Sequence, residues 1–153
     1  MRTYAPATTR AVLDQLLEEP SLARGVVHHE VRAARPAVHG AWPDWLDPRI
    51  RSGLAKRGIE NPYTHQADAI EAVHAGRDVV VVTPTASGKS LCYTVPVLQA
   101  LAEDPSARAL FLFPTKALGQ DQVAEFGELV LDAGLEVASA CYDGDTPAPI
   151  RSA

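Results

Sequence analysis

Eight consecutive residues, Thr83-Pro84-Thr85-Ala86-Ser87-Gly88-Lys89-Ser90, follow the β-branched run Val79–Val82 and lead into an apolar, helix-periodic stretch. A phosphate chain carries several negative charges and needs donors that converge on it. A tight loop opening a helix supplies backbone amides together with the positive end of the helix dipole. On this pattern Thr83, Thr85, Ala86 and Ser87 frame the phosphates, and Gly88 lets the backbone approach closely. Lys89 meets the β- and γ-phosphates, and the Ser90 hydroxyl ligates Mg²⁺. The strict P-loop pattern asks for Gly where Thr83 stands, so the signal rests on Gly88-Lys89-Ser90 and on the strand-before, helix-after context.

A second constellation precedes the first. Gly58-Ile59-Glu60-Asn61-Pro62-Tyr63-Thr64-His65-Gln66 reads in isolation as a turn leading into a capped helix, with Gln66 an exposed helix residue. A carboxamide also offers a donor and an acceptor side by side, which suits the amino group and ring nitrogen on adenine's edge. Tyr63 is placed to stack on such a base. Farther on, Phe113-Pro114-Thr115-Lys116-Ala117-Leu118 lies at the C-terminal end of an apolar run. In open parallel sheets that end is where ligands bind. Thr115 reads as an ordinary N-cap, and the exposed amides of a capped helix start also bind phosphate. Tyr142-Asp143-Gly144-Asp145-Thr146-Pro147 has the composition of a turn, and its acidic pair is a weak metal candidate.

These residues need elements to position them. Val12, Leu13, Leu16 and Leu17 are spaced for a short helix in a Pro/Arg-rich opening region. Pro48 and Gly58 bracket a second helix over Pro48 to Arg57. Trp42 and Trp45 lie before it and read as docking aromatics. From Pro62 the pattern alternates. A helix capped by Thr64 runs to His74, with Ala67, Ile70 and Val73 on one face and Gly76 as its stop. A strand at Val79–Val82 follows, then a helix from Gly88 to Ala102 that continues across Pro96. Next come a strand at Ala109–Phe113, a helix from Lys116 to Leu131 and a strand at Leu135–Ala140. Strand, helix, strand, helix, strand at this spacing predicts an α/β domain with a parallel sheet.

Composition narrows the class. The 153 residues are 46% hydrophobic and 22% charged, which suits a globular chain with a core. No apolar run is long enough to span a bilayer, and the first thirty residues lack a signal-peptide core, so the expected location is cytoplasmic. Cys92 and Cys141 have neither CxxC spacing nor a histidine pair and read as small hydrophobes. His28 and His29 read as solvated. Net charge is −5, with nine Lys/Arg against seven Asp/Glu in residues 1–62 and five against twelve in residues 63–153. The second part has no broad basic face. Nucleic-acid contact there must use backbone amides and a few chosen side chains.

Taken together, the motifs resemble the first motor domain of superfamily 2 DEAD/H-box helicases. Gly58 to Gln66 has the spacing of that family's Q motif, and Thr83 to Ser90 resembles its motif I, in which Thr at the first position is common. Pro114 to Leu118 resembles motif Ia, and Asp143-Gly144-Asp145-Thr146 the glycine-containing motif after the third strand. The wording "TPTASGKSLCYTVPVL", "LFLFPTKALGQDQ" and "YDGDTP" is similar to the bacterial mitomycin repair factor A branch and its fungal and archaeal relatives. The resemblance covers roughly residues 25 to 151. It implies a RecA-like P-loop fold, with residues 1–57 as an N-terminal extension and 58–153 as the first part of the motor domain. It also implies ATP and Mg²⁺ as cofactors and a DNA-stimulated ATPase that translocates 3′ to 5′ along single-stranded or tailed DNA, in DNA repair. Pro114, Thr115, Lys116, Gly144 and Asp145 would then meet DNA.

Neither an Asp-Glu-x-His nor an Asp-Glu-Ala-Asp stretch is present. The chain is therefore expected to be an N-terminal fragment that does not hydrolyse ATP alone. In the family's sheet the strand bearing that acidic motif lies between Val79–Val82 and Ala109–Phe113. Those two are thus expected to expose unpaired backbone and an apolar face. Two other readings stand beside this one: a different P-loop enzyme such as a nucleotide kinase, and a small non-catalytic nucleotide-binding protein.

Overall fold

The computed structural model describes residues 8–31, 33, 36–147 and 149. The chain divides into two compact units, Met1–Pro36 and Ala37–Ala153. In the first, α1 (Thr9–Glu18) is capped by the Thr8 hydroxyl and buries none of its residues, and a four-residue turn of helix, α2 (Pro20–Ala23), follows. His28 and His29 are exposed, in keeping with their reading as solvated residues.

The second unit holds α3 (Pro48–Lys56), α4 (Thr64–His74), α5 (Ser90–Glu103) and α6 (Lys116–Ala133). Residues 37–57, including α3, pack within this same unit. Asp47 caps α3 by accepting from the Arg49 amide at 2.8 Å, and its hydrogen bond with the Arg49 side chain holds its carboxyl below the usual range. Pro48 sits at the first turn, where its missing N–H costs nothing. α3 crosses α6 so closely that a Cβ on Gly53 would stand 2.8 Å from the Ala133 amide nitrogen. The crossing is tied at its rim by Lys56 donating to the Asp132 carbonyl at 2.7 Å and by Arg57 pairing with Glu128 at 2.8 Å.

Ile50, Leu54, Ile70, Val95, Leu98, Leu129 and Val130 form the centre of the core, with Trp42 and Leu46 closing one side. Truncating one such aliphatic to Ala costs about 2–5 kcal/mol. Trp42 is buried and donates to the Glu60 carbonyl at 2.9 Å, while Trp45 stacks on His74 at 3.7 Å, so both tryptophans dock the segment before α3. α5 continues through Pro96, because Val95 and Leu98, on either side of it, are completely buried. α6 ends at Gly134 in the left-handed region (φ 65°), where the Gly134 and Leu135 amides close the helix on Leu131 and Val130.

Two expectations for α4 are corrected. Thr64 is its first residue and Tyr63 is its N-cap, and the buried residues are Gln66, Ala69 and Ile70, with Val73 left 38% exposed. Burial follows Gln66 because that side chain has partners to meet inside, as described below.

The parallel sheet read from the spacing is not formed among the described residues, while the exposure expected of its first two segments is observed. Among the described residues no strand forms, and the single β-bridge pairs His39 with Tyr63. Residues 79–82, 109–113 and 135–140 lie outside any hydrogen-bonded ladder. Val80, Val82, Leu110 and Leu112 are all more than 80% exposed. A parallel ladder needs immediate neighbours. The resemblance puts another strand between the first two segments, and Phe111 and Val137 of the second and third each pack on the core. Phe111 meets Phe126 edge-on at 5.9 Å and Tyr93 at 5.5 Å. An open apolar cleft lies along these segments beside α5 and α6.

Candidate nucleotide site and nucleic-acid loops

The 83–90 loop is a tight turn that opens directly into α5. Ala86 and Gly88 both take left-handed backbone angles (φ 59° and 71°), which reverse the chain within a few residues. For Gly88 the requirement is doubled. A Cβ there would stand 2.5 Å from Gln66 Nε2, so glycine is needed both for the angle and for the approach of Gln66. Thr83 Oγ1 and Ser87 Oγ close the turn with a 2.6 Å hydrogen bond. Thr83 thus fills the first P-loop position with a hydroxyl that staples the loop.

α5 starts without a side-chain cap on its first-turn amides, whereas α3 and α6 are capped by Asp47 and Thr115. Lys89 extends over the loop and donates to the Thr83 carbonyl at 3.1 Å and the Pro84 carbonyl at 2.7 Å. Ser90 is the first residue of the helix and is partly buried. The arrangement therefore gathers one ammonium, one helix-start hydroxyl and an uncapped helix N-terminus at a single turn. Cys92 lies one helical step beyond. Burial pushes its thiol up, against a weaker pull from its backbone hydrogen bond and from Lys89, which fits the small hydrophobe inferred from spacing.

α4 brings its first turn against the same loop. Gln66 is 2% exposed, so it is not a surface residue. Its Oε1 accepts from the Tyr63 amide at 2.8 Å, and its Nε2 donates to the Gly88 carbonyl at 2.8 Å. His65 Nε2 lies 3.1 Å from the Ser87 carbonyl. Tyr63 is 39% exposed and stacks between His39, at 5.0 Å, and His65, at 5.9 Å. The His39 segment is held there by backbone bonds from Gly40 to Pro62 and from Thr64 to Val38. His65 and His39 were not singled out from sequence. His65 carried one readable signal, its place beside Gln66 at a helix start.

The other loops lie apart from this turn in sequence and meet each other. Thr115 caps α6 by accepting from the Leu118 amide at 3.3 Å, and Pro114 precedes it in the exposed turn. Lys116, the first residue of α6, donates to Asp145 Oδ2 at 2.6 Å, and its Nζ is 3.4 Å from where a Cβ on Gly144 would stand. Asp145 is itself set by its amide donating to Asp143 Oδ1 at 2.8 Å, and the Asp143 amide donates to Thr146 Oγ1 at 2.8 Å. Asp143 and Asp145 are thus engaged in a turn and an ion pair. Among the described residues no group of three or more His, Cys, Asp or Glu side chains is gathered as for a metal ion. No helix among them is long and apolar enough to cross a membrane.

Comparison with known proteins bears on the whole arrangement. Residues 63–153 match the model of the DEAD/DEAH box helicase family. The chain is 50% identical over 123 residues to the uncharacterized ATP-dependent helicase YprA of Bacillus subtilis, covering 80% of this chain and 16% of that protein. It is 38% identical over 146 residues to the ATP-dependent helicase hrq1 of Schizosaccharomyces pombe, covering 92% of this chain and 14% of that protein. Its structure is similar to that of the DUF1998 helicase MrfA bound to DNA and AMPPNP, with a TM-score of 0.79 at 46% identity. That likeness covers 90% of this chain and 19% of MrfA. The chain thus spans less than a fifth of each of these relatives. With the RecA-like architecture, the loop at 83–90 and the motif sequence in agreement, the chain belongs to the DEAD/DEAH box helicase family.

Proposed function

We propose that this chain is the nucleotide-binding portion of an ATP-dependent DNA helicase that couples ATP hydrolysis to movement along DNA, in repair, in the cytoplasm. The observation that carries the reading is Lys89 at the mouth of an uncapped helix start whose loop is held from below by α4. An anion entering that mouth offers Lys89 a stronger partner than the Thr83 and Pro84 carbonyls, since it meets the ammonium with a full opposite charge where a carbonyl offers only a dipole. Thr83, Thr85, Ala86, Ser87 and Gly88 frame the phosphates. Ser90 would hold Mg²⁺ through its hydroxyl, an oxygen donor of the kind this ion prefers. Mg²⁺ held there would supply charge neutralisation for the transferring phosphoryl group.

Adenine recognition falls to Gln66 and Tyr63. Gln66 uses one donor and one acceptor on Gly88 and Tyr63, and its carboxamide retains one of each. Tyr63, 39% exposed beside His39 and His65, is the aromatic assigned to stack on the base. DNA contact falls to Pro114, Thr115, Lys116, Gly144 and Asp145. Lys116 sits at the positive end of α6, where a cation is disfavoured and a phosphate is favoured. Asp145 offsets the cation and fixes where it points, and a DNA phosphate would take over that bond. Support for DNA as the polymer comes from MrfA, whose structure holds DNA, and from relatives named as DNA helicases.

DNA-stimulated ATP hydrolysis by the purified full-length protein tests this reading. Lys89→Ala removes a charge-assisted contact of about 1.5–3 kcal/mol. It also removes stabilisation of the transferring phosphoryl group, so turnover should fall more than ATP affinity. A phosphoryl-acceptor activity in place of DNA stimulation would favour a nucleotide kinase. Near-normal DNA-stimulated turnover in Lys89→Ala would refute the site.

A further inference from the structure

Two peptide units of the 83–90 loop are gripped by consecutive residues of α4. His65 reaches the Ser87 carbonyl at 3.1 Å, and Gln66 reaches the Gly88 carbonyl at 2.8 Å, each across 22 residues of sequence. A carbonyl oxygen only accepts, so His65 Nε2 carries the hydrogen. No cis peptide bond occurs among the described residues, and a trans peptide is planar with its C=O and N–H pointing oppositely. Holding the Ser87 carbonyl toward α4 therefore turns the Gly88 N–H away from α4. Holding the Gly88 carbonyl does the same for the Lys89 N–H. The two amides leading into α5 are thereby fixed in direction by two consecutive side chains of α4.

We propose that His65 is a positioning residue for the triphosphate: it orients the Gly88 amide through the Ser87 carbonyl and so prepares the loop for the anion. The inference rests on the nucleotide reading of this loop. It gives His65 a part separate from the base-reading part of its neighbours, because its bond goes to the loop and its ring stacks on Tyr63. The histidine serves both needs, which is why two different substitutions separate them. His65→Phe keeps a ring against Tyr63 and loses the donor. His65→Gln loses the ring and keeps an N–H donor on a side chain of comparable reach.

The test is titration of the full-length protein and both variants with Mg²⁺-ATP and, in competition, with adenosine. Loss of one intramolecular hydrogen bond corresponds to about a fivefold weakening. His65→Phe should weaken ATP by about fivefold and raise its KM, with kcat and adenosine binding within about twofold of wild type. His65→Gln should restore most of the ATP affinity. Equal losses for ATP and adenosine in His65→Phe would overturn the proposal, since that pattern marks a misplaced α4. ATP affinity in His65→Gln as poor as in His65→Phe would also overturn it, as would unchanged ATP affinity in both. Lys89→Ala distinguishes this failure from that of the nucleotide site. If Lys89→Ala abolishes turnover while His65→Phe leaves ATP binding intact, the site stands and the positioning role falls.

Discussion

The loop at 83–90 and the pair of loops at 114–116 and 143–146 both follow extended segments, yet they are held by different means. The first is gripped from α4 by two bonds to its backbone, closed by Thr83 on Ser87, and seated against a buried Gln66. Among the described residues the second pair is joined by the Lys116–Asp145 ion pair, whose side chains are 51% and 81% exposed. A surface pair of that kind contributes little to stability and is screened by salt. A nucleotide needs amides fixed before it arrives, because reorganising them would cost part of the binding energy. A polymer that must be held and released along a track suits a contact whose partner is easily exchanged.

Substitutions that break this contrast should differ in size. Gly88→Ala should act most strongly. It forces an alanine into the left-handed region, at about 1–2 kcal/mol, and puts its Cβ on Gln66 Nε2. ATP affinity should fall by tenfold or more, read by titration, with DNA affinity unchanged in the absence of nucleotide. Gln66→Ala should come next. It frees the Gly88 carbonyl and removes the proposed adenine partner, so ATP should bind several-fold more weakly and lose its advantage over GTP, read by competition. An unchanged ATP-to-GTP preference would leave Gln66 with the loop-holding part alone.

Lys116→Ala should act least, and only on the other side of the comparison. DNA binding should weaken alike across sequences, and the slope of log affinity against log salt should shrink by about one. ATP affinity measured without DNA should not move. A sequence-dependent loss would point to base contact, and an unaltered slope would place Lys116 away from DNA.

The sequence carries these two regions unequally. α3, α5 and α6 are legible within a residue or two from Pro48, Thr115 and the apolar spacing on either side of Pro96, because caps and periodicity are local signals. The turn at 83–90 and the helix it opens are legible despite Thr83, since strand-like and helical patterns flank them. The sheet is legible only as extended segments, because the β-branched runs report a preference for extended backbone and pairing depends on which segment lies alongside. That the first two lie unpaired follows from the resemblance and not from their composition. Val79–Val82 has the composition of a buried strand and lies unpaired. The buried role of Gln66 and the grip of His65 on Ser87 were also out of reach, as both depend on where α4 and the loop meet in space. No local rule ties residues 22 positions apart.

Amide hydrogen exchange of the full-length protein, with and without Mg²⁺-ATP, tests the nucleotide assignment most directly. Bound phosphates should slow exchange at residues 85–90 and at the first turn of α4, while residues 115–118 and 143–146 exchange at their unliganded rates. Protection confined to 115–118 and 143–146, or no protection at 85–90 at saturating nucleotide, would contradict the placement of ATP at this loop.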